Sequence, residues 1–157
     1  MKVIAAYEKD IDDDLMAQVM YMNADAYACY DMLDSNEDEH VICAIPTTTV
    51  KQFRRKSSSV LFFLAVKRDK GKTRLVGMAG LSKESKSTLQ LHDVYVKPLF
   101  RNRGIGHKLV KTAMKEAKKQ KRCLSLKVNP LNDAALKLYE DFGFKICKEQ
   151  SIKMMLV

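Results

Sequence analysis

The segment VYVKPLFRNRGIGHKLV, residues 94–110, joins an apolar, strand-like stretch to a helix through a proline and an Arg-Asn-Arg-Gly-Ile-Gly turn. The first N–H groups of a helix have no intrahelical partners, and the positive end of the helix dipole lies beside them. Gly104 and Gly106 remove side chains that would keep an anion away from the backbone, and Arg101 and Arg103 add cations. The segment therefore predicts a strand, a loop and a helix that together bind an anion such as a phosphate.

The residues after this loop predict a helix, because apolar side chains recur every four positions and lysines fill the places between them. The apolar positions are Ile105, Leu109, Ala113 and Ala117. We expect this helix to end near Lys121 and a strand to follow over residues 122–128. Beyond it, residues 129–144 predict a short helix that Gly143 stops, and the last residues predict one or two further strands.

Three strands are predicted before the loop. Residues 60–68 form a continuous apolar run, and residues 73–82 and 88–98 follow it, with short polar turns between the three segments. Segments of this length joined by tight turns predict an antiparallel meander.

The first third of the chain predicts one strand and several helices. Residues 2–7 alternate as a strand does, and one of three consecutive aspartates, Asp12, Asp13 and Asp14, can cap a helix that runs through Met22. We expect a second helical stretch over 24–33, a loop over 34–40 and a short helix after Pro46 with a threonine as its N-cap. The order of elements predicts a single α/β (α+β) domain with a mixed sheet.

Composition excludes several classes of protein. The chain has 157 residues, 46% of them hydrophobic and 30% charged, and its longest apolar run is the seven residues Val60–Val66, too short to span a membrane. The first ten residues do not resemble an export signal, so we expect a cytoplasmic protein. The four cysteines have neither a Cys-x-x-Cys spacing nor a nearby histidine, so no metal site is expected.

The net charge of +9 is distributed unevenly. Residues 1–50 hold two basic and eleven acidic residues, whereas residues 51–157 hold 26 basic and eight acidic ones. A uniformly basic surface would suggest a nucleic-acid ligand, but this division suggests two ligands of opposite charge.

The loop does not match two common phosphate-binding patterns. It lacks the Gly-Lys-Ser/Thr end of a P-loop, and Leu109 stands where the third glycine of a dinucleotide-binding fingerprint would be. The segment VYVKPLFRNRGIG instead resembles motif A of the GNAT acetyltransferases, Val-x-Pro-x-x-Arg/Gln-x-x-Gly-x-Gly/Ala. Residues 129–144, NPLNDAALKLYEDFGF, resemble the downstream motif of the same family, Asn-x-x-Ala-x-x-Leu-Tyr-x-x-x-Gly-Phe.

The resemblance implies a fold and a cosubstrate. The fold is a mixed, mostly antiparallel central sheet flanked by about four helices, with residues 1–59 on the acceptor side and residues 60–157 forming the acetyl-CoA-binding core. It also implies that Asn132 bonds the cofactor arm and that the backbone of β-strand residues pairs with the pantetheine arm and the thioester. The implied cofactor-binding residues are Val94, Tyr95, Val96, Arg101, Asn102, Arg103, Gly104, Ile105, Gly106, His107, Asn132 and Tyr139.

The resemblance also implies that Tyr139 is the general acid that protonates the departing thiolate. The base is sought among Gln90, His92 and Asp93, where alternation along a strand puts Gln90 and His92 on one face and Asp93 on the other. Relatives carry a glutamate where Gln90, His92 or Lys127 stands, and none of these positions is a carboxylate here. His92, acting directly or through water, is therefore the leading candidate, and Asp93 is expected to orient a partner or fix the strand.

The acceptor pocket is expected at the acidic end of the chain. We predict that Asp31, Asp34, Glu37 and Asp38 bind a cationic amine such as a polyamine, a lysine side chain or a peptide amino terminus. Two alternatives stay open: a basic nucleic-acid or ribosome-binding domain, and an acyl-CoA-binding regulator without catalysis. No membrane or nucleic-acid partner is expected, and the sequence leaves a homodimer open.

Overall fold

The computed structural model describes residues 1–35, 46, 48–148 and 152–156, and the side chains of residues 28–35, 148, 152, 153, 155 and 156 lie outside this description. Its strands are β1 (Lys2–Tyr7), β2 (Leu61–Asp69), β3 (Lys72–Lys83), β4 (Thr88–Val96), β5 (Cys123–Val128), β6 (Lys145–Lys148) and β7 (Ile152–Leu156). The helices in the described ranges are α1 (Asp13–Ser35), α2 (Val50–Lys56), α3 (Ile105–Lys119) and α4 (Asp133–Asp141).

The seven strands found among the described residues belong to one sheet, in the order β1-β2-β3-β4-β5-β7-β6. Neighbouring strands are antiparallel except for β4 and β5, which are parallel and are connected through α3. The predicted mixed, mostly antiparallel sheet with about four flanking helices is confirmed, and so is the predicted meander of β2, β3 and β4.

The sheet is covered on both faces, so it has two apolar cores. On one face α3 and α4 pack over the sheet, with Leu109, Val110 and Tyr139 among the buried residues. On the other face α1 packs over β2 and β3, with Met16 and Val19 fully buried. Period-two alternation along the strands supplies side chains to both cores.

Helix α1 is a single helix of 23 residues, so the prediction of two helical stretches was wrong. Its sequence contains no glycine or proline that would interrupt the hydrogen bonds. Oδ1 of Asp12 accepts the N–H of Leu15 at 2.8 Å, which confirms the predicted aspartate cap. The helix includes Asp34 and Ser35, which were expected in a loop, and residues 36–40 of that loop lie outside the described residues.

Helix α2 has the predicted threonine cap. The hydroxyl of Thr49 accepts the N–H of Gln52, whose side chain in turn accepts the N–H of Thr49, a capping box. Arg54 on the same helix donates to the carbonyl of Ile11 at 2.6 Å and to the carboxylate of Asp13 at 2.7 Å. These bonds fix α2 against the beginning of α1.

Strand β4 carries the irregularity that positions the site. Gly80 of β3 pairs with His92 and Met78 pairs with Tyr95, so two residues of β4 face one residue of β3. This is a β-bulge, which bends a strand and increases its twist. The pairing of β4 with β5 ends at Leu91, although both strands continue beyond it. The two parallel strands therefore separate from His92 onward.

None of the helices in the described part of the chain combines the length and the apolar composition that crossing a bilayer requires.

Candidate active site

A cleft of about 1510 Å³ occupies the space where β4 and β5 separate. Loop residues at the start of α3 and residues of α4 line one side, and residues of α1 and α2 line the other. The predicted site residues that line it are His92, Asp93, Val94, Tyr95, Val96, Arg101, Asn102, Gly104, Ile105, Gly106, His107, Asn132 and Tyr139. The fold thus brings two distant sequence motifs to one place.

The loop before α3 has the geometry of an anion site. Gly104 is the N-cap of α3 at φ 76°, and no atom beyond the adjoining backbone lies within 4 Å of the position that a Cβ would take there. The N–H groups of the first turn, Ile105, Gly106 and His107, have no acceptor within the helix. Asn102 also adopts a left-handed conformation, at φ 58°. A phosphate can therefore approach the backbone without meeting a side chain at Gly104.

The two arginines of the loop have partners within the protein. Nε of Arg101 donates to the carbonyl of Val96 at 2.9 Å, and its guanidinium lies 5.3 Å from the centre of the Tyr95 ring. The guanidinium of Arg103 lies 5.5 Å from the centre of the Phe100 ring. Arg101 therefore ties the loop to the end of β4, a role that the sequence did not predict for it.

The backbone of β4 offers hydrogen bonds to the cleft on one edge only. The N–H of Lys97 donates to Val76 on β3 at 2.9 Å, and neighbouring residues of a strand point their N–H and C=O groups to opposite edges. The backbone N–H and C=O of Val96 therefore point into the gap, where the carbonyl accepts the hydrogen bond from Arg101. Tyr95 faces β3, where it pairs with Met78, so its backbone is directed away from a ligand in the gap.

The downstream motif forms the far wall of the cleft. Oδ1 of Asn132 caps α4 by accepting the N–H of Ala135 at 3.1 Å, so Nδ2 is the donor that this amide offers to a ligand. Tyr139 is 7% exposed and packs edge-on against Phe144, with 5.7 Å between ring centres. Burial raises the pKa of Tyr139 to about 12, so its hydroxyl stays protonated at neutral pH.

His92 and Asp93 lie together, so the prediction that they occupy opposite faces was wrong. Nδ1 of His92 lies 2.8 Å from Oδ2 of Asp93. Alternation fails here because Asp93 sits in the bulge at φ 52°, a left-handed conformation that turns its carboxylate toward the preceding residue. Nε2 of His92 lies 2.7 Å from the hydroxyl of Ser82 on β3. A hydroxyl, an imidazole and a carboxylate thus form one hydrogen-bonded chain.

Helices α1 and α2, including Tyr27 and Phe53, line the side of the cleft where the sequence predicts the acceptor. The charge of Asp93, together with partial burial, raises the pKa of Tyr27. The carboxylate of Asp93, at the end of the hydrogen-bonded series Ser82, His92 and Asp93, therefore lies close to α1. Asp93 is the one carboxylate among the described residues that line the cleft, where Lys56 and Lys127 add positive charge.

The structure gives no side-chain position for the four carboxylates predicted to bind an acceptor. Asp31 and Asp34 belong to α1 with side chains outside the description, and Glu37 and Asp38 lie outside the described residues. Other acidic groups of the first third stabilise the fold. Asp12 caps α1, Asp13 and Glu8 bind Arg54, and Asp14 accepts from Gln18.

Two cleft residues, Ser82 and Tyr27, were missed by sequence reasoning. Ser82 approaches His92 because β3 and β4 are adjacent and Gly80, two residues before it, leaves room for the imidazole. The sequence held a usable signal for this contact: Ser82 stands two residues after Gly80 on the strand predicted to precede the one that carries His92. Tyr27 carried none, because its place depends on how α1 crosses the sheet.

The sequence profile of the Acetyltransferase (GNAT) family matches residues 21–144, which contain both motifs. An uncharacterized N-acetyltransferase of Methanocaldococcus jannaschii is 36% identical over 63 residues, or 40% of this chain and 28% of that protein. The match thus spans little more than a quarter of the relative's length.

Solved structures share the fold at low identity. A domain from Methanocaldococcus jannaschii has a TM-score of 0.70 and 16% identity, over 99% of this chain and 97% of that one. The PaiA N-acetyltransferase from Thermoplasma acidophilum, in complex with coenzyme A, has a TM-score of 0.64 and 17% identity, over 99% and 98% of the two chains. A GNAT family acetyltransferase from Elizabethkingia anophelis with acetyl-CoA bound has a TM-score of 0.53 and 23% identity, over 64% of this chain and 63% of that one. Because the family profile covers more than half of the chain, this protein belongs to the GNAT family of acetyltransferases.

Proposed function

We propose that this protein is an acetyl-CoA-dependent N-acetyltransferase that transfers an acetyl group to a primary amine by direct attack. One observation carries the proposal: the gap between β4 and β5 joins the amide-rich loop of α3 on one face of the sheet to His92 and Asp93 on the other. An anionic cosubstrate and an amine can therefore reach each other through the sheet. A matching family profile supports the same reaction class.

The cofactor half of the cleft fits a coenzyme A thioester. The amides from Asn102 to His107 would hold the diphosphate, and the open space at Gly104 leaves room for it. The backbone of Val96 and Nδ2 of Asn132 would bond the arm. When bound, the thioester supplies an electrophilic carbonyl and a thiolate leaving group.

Tyr139 stabilises that leaving group by donating a hydrogen bond. Burial raises the pKa of Tyr139 to about 12, so the residue meets the leaving sulfur as a neutral hydroxyl that can donate a hydrogen bond. A donor held in a buried setting stabilises the negative charge that develops on sulfur. The resemblance implies the fuller role of a general acid, which delivers its proton to the departing thiolate.

His92 serves as the base, with Asp93 as the group that orients it. An alkyl ammonium has a pKa of about 10.4 and must lose a proton before its nitrogen can attack. The carboxylate of Asp93, 2.8 Å from Nδ1, favours the tautomer with a proton on that nitrogen and stabilises the imidazolium that forms.

The acceptor is proposed to be a cationic amine. The support is the excess of acidic over basic residues in residues 1–50, which continue past α1 into the segment that contains Glu37 and Asp38. A polyamine, a lysine side chain and a peptide amino terminus share this chemistry. Local negative charge would raise the concentration of such an amine at the cleft.

The experiment measures the thermal stability of the protein with acetyl-CoA and then thiol release over a panel of amines. Binding to the folded state should raise Tm. Tyr139→Phe should lower kcat by roughly ten- to a thousand-fold, the range of contributions from a positioned proton or hydrogen-bond donor. The matched control is Tyr21→Phe, a tyrosine on α1 that is 53% exposed and should keep wild-type kcat. An unchanged kcat in Tyr139→Phe would remove Tyr139 from its role.

A further inference from the structure

We infer that Ser82 relays the acceptor's proton to His92. This inference rests on the proposed function, but it concerns a residue to which neither the motifs nor the resemblance gave a role. The observation is the continuous chain of Ser82 Oγ, His92 and Asp93, with distances of 2.7 Å and 2.8 Å at the two ring nitrogens. All three side chains line the cleft.

The donor and acceptor groups determine which way each hydrogen bond runs among Ser82, His92 and Asp93. A carboxylate can only accept, so Nδ1 of His92 carries the proton that it shares with Asp93. Nε2 of the neutral ring is then an acceptor, and the hydroxyl of Ser82 donates to it. The lone pair that makes His92 a base is consequently covered by Ser82, and a proton that reaches Nε2 along this chain passes through the Ser82 oxygen.

The fold holds this geometry by two features of adjacent strands. A methyl group at Gly80 would overlap the imidazole of His92, so the glycine leaves the space that the ring occupies beside β3. The bulge of β4 brings Asp93 to the other side of the ring. The ring is therefore held between two strands, with both nitrogens paired, before any substrate arrives. Such preorganisation is expected of a proton path.

The step conserves atoms and charge. An N–H bond of the acceptor ammonium breaks and a new O–H bond forms on Ser82, while the original Ser82 O–H bond breaks and an N–H bond forms at Nε2. The amine gains a free lone pair, and the positive charge moves to the imidazolium beside Asp93. Loss of that proton to water after transfer restores the resting chain.

The kinetic test compares Ser82→Ala, Ser82→Thr and the control Ser85→Ala, whose exposed hydroxyl lies in the β3–β4 turn. Ser82→Ala should lower kcat by about ten- to a hundred-fold and change KM for acetyl-CoA less than two-fold, whereas Ser82→Thr should recover most of the rate. The solvent deuterium isotope effect on kcat should be smaller in Ser82→Ala. A kcat in Ser82→Ala within two-fold of wild type would overturn the relay.

A second measurement does not depend on activity. The chain has three histidines, so nitrogen-15 resonances of His92 can be assigned by comparison with His92→Gln. The relay predicts a proton on Nδ1, and a change in the Nε2 shift in Ser82→Ala but not in Ser85→Ala. A proton resident on Nε2 in the wild type, or an acetyl group on Ser82 after incubation with acetyl-CoA alone, contradicts the inference. Failure of thiol release with every amine would instead overturn the proposed function, and the resonances would still decide the relay.

Discussion

Two residues of the cleft, Asp93 and Asn102, adopt left-handed backbone conformations, with φ of 52° and 58°. Residues other than glycine rarely do so, and aspartate and asparagine tolerate the conformation best because their short polar side chains bond locally. At Asp93 this conformation turns the carboxylate to His92, and at Asn102 it turns the chain into α3.

Tyr139 should make the protein less stable at alkaline pH. Its pKa is raised to about 12 in the folded state, so below about pH 10 it contributes no pH dependence. Above pH 10 the unfolded chain loses this proton while the folded protein keeps it, and the free energy of unfolding falls. Between pH 9 and pH 11.5 the loss should be about 2 kcal/mol. Denaturant titrations at these two pH values measure it.

The comparison that isolates Tyr139 uses the same two tyrosine variants. Tyr139→Phe should lose about 2 kcal/mol less than wild type over this pH interval, whereas Tyr21→Phe should follow the wild type. Equal pH dependence in wild type and Tyr139→Phe would show that the hydroxyl is not buried as described.

At the scale of elements, the junction between β4 and α3 is the unit that the sequence describes best. A strand, a 3-10 turn at Pro98–Phe100, a left-handed glycine and an amphipathic helix follow one another within the motif. Arg101 secures the turn by bonding back to Val96. Each part depends on neighbours in sequence, so local pattern was sufficient to predict it.

Gly104→Ala should weaken both the fold and acetyl-CoA binding. A residue with a Cβ at φ 76° costs about 1–2 kcal/mol, even though the space around the site is open. Because 1 kcal/mol corresponds to about 2–4 °C for a domain of this size, Tm should fall by roughly 2–8 °C. The Kd for acetyl-CoA should rise because the amides of the first turn shift. Thermal melts with and without acetyl-CoA measure both effects.

Asn102→Gly is the matched control for that variant. It keeps the left-handed conformation at the neighbouring turn without strain, so acetyl-CoA binding should persist within about two-fold. Wild-type Tm and Kd in Gly104→Ala would show that this backbone conformation is not required by the site.

At the scale of the whole molecule, the proposed function assigns one face of the sheet to each ligand. The amide loop of α3 lies on the face under α3 and α4, and the hydrogen-bonded side chains of Ser82, His92 and Asp93 lie on the face under α1. The gap after Leu91 connects them. Because the parallel pair β4 and β5 is joined only over its first part, the gap between them would be the passage between cosubstrate and acceptor in the proposed reaction.

Neutralising the four carboxylates of the proposed acceptor region should weaken amine binding. Replacing Asp31, Asp34, Glu37 and Asp38 by the corresponding amides should raise KM for a cationic amine by about three- to thirty-fold at low salt, with less effect at high salt. The KM for acetyl-CoA should stay unchanged. Initial-rate kinetics at two ionic strengths measure this dependence.

The control variant neutralises three exposed carboxylates that do not line the cleft, Asp10, Glu140 and Asp141. It should leave the amine KM within two-fold of wild type, because screening weakens the influence of distant surface charges. If the two sets of replacements changed the amine KM equally, overall charge would be the cause and these four residues would have no special role.

The sequence by itself determined the elements, their order, the anion loop and the family resemblance. Those features rest on local periods, caps and turn residues, each of which acts within a few positions of the chain. Even so, local signals predicted two helical stretches where α1 is continuous. A capping residue marks where a helix begins, but no single residue shows that a helix continues.

Only the tertiary structure decided how the reactive groups meet. The β4 bulge reverses the direction of Asp93, the register of β3 against β4 brings Ser82 to His92, and the separation of β4 from β5 opens the cleft. All three features depend on how residues pair across strands, and the first also depends on the irregular φ of Asp93. The period-two pattern along one strand encodes neither. The motifs predicted where the cosubstrate binds, and only the packing of the sheet brought Ser82, His92 and Asp93 together.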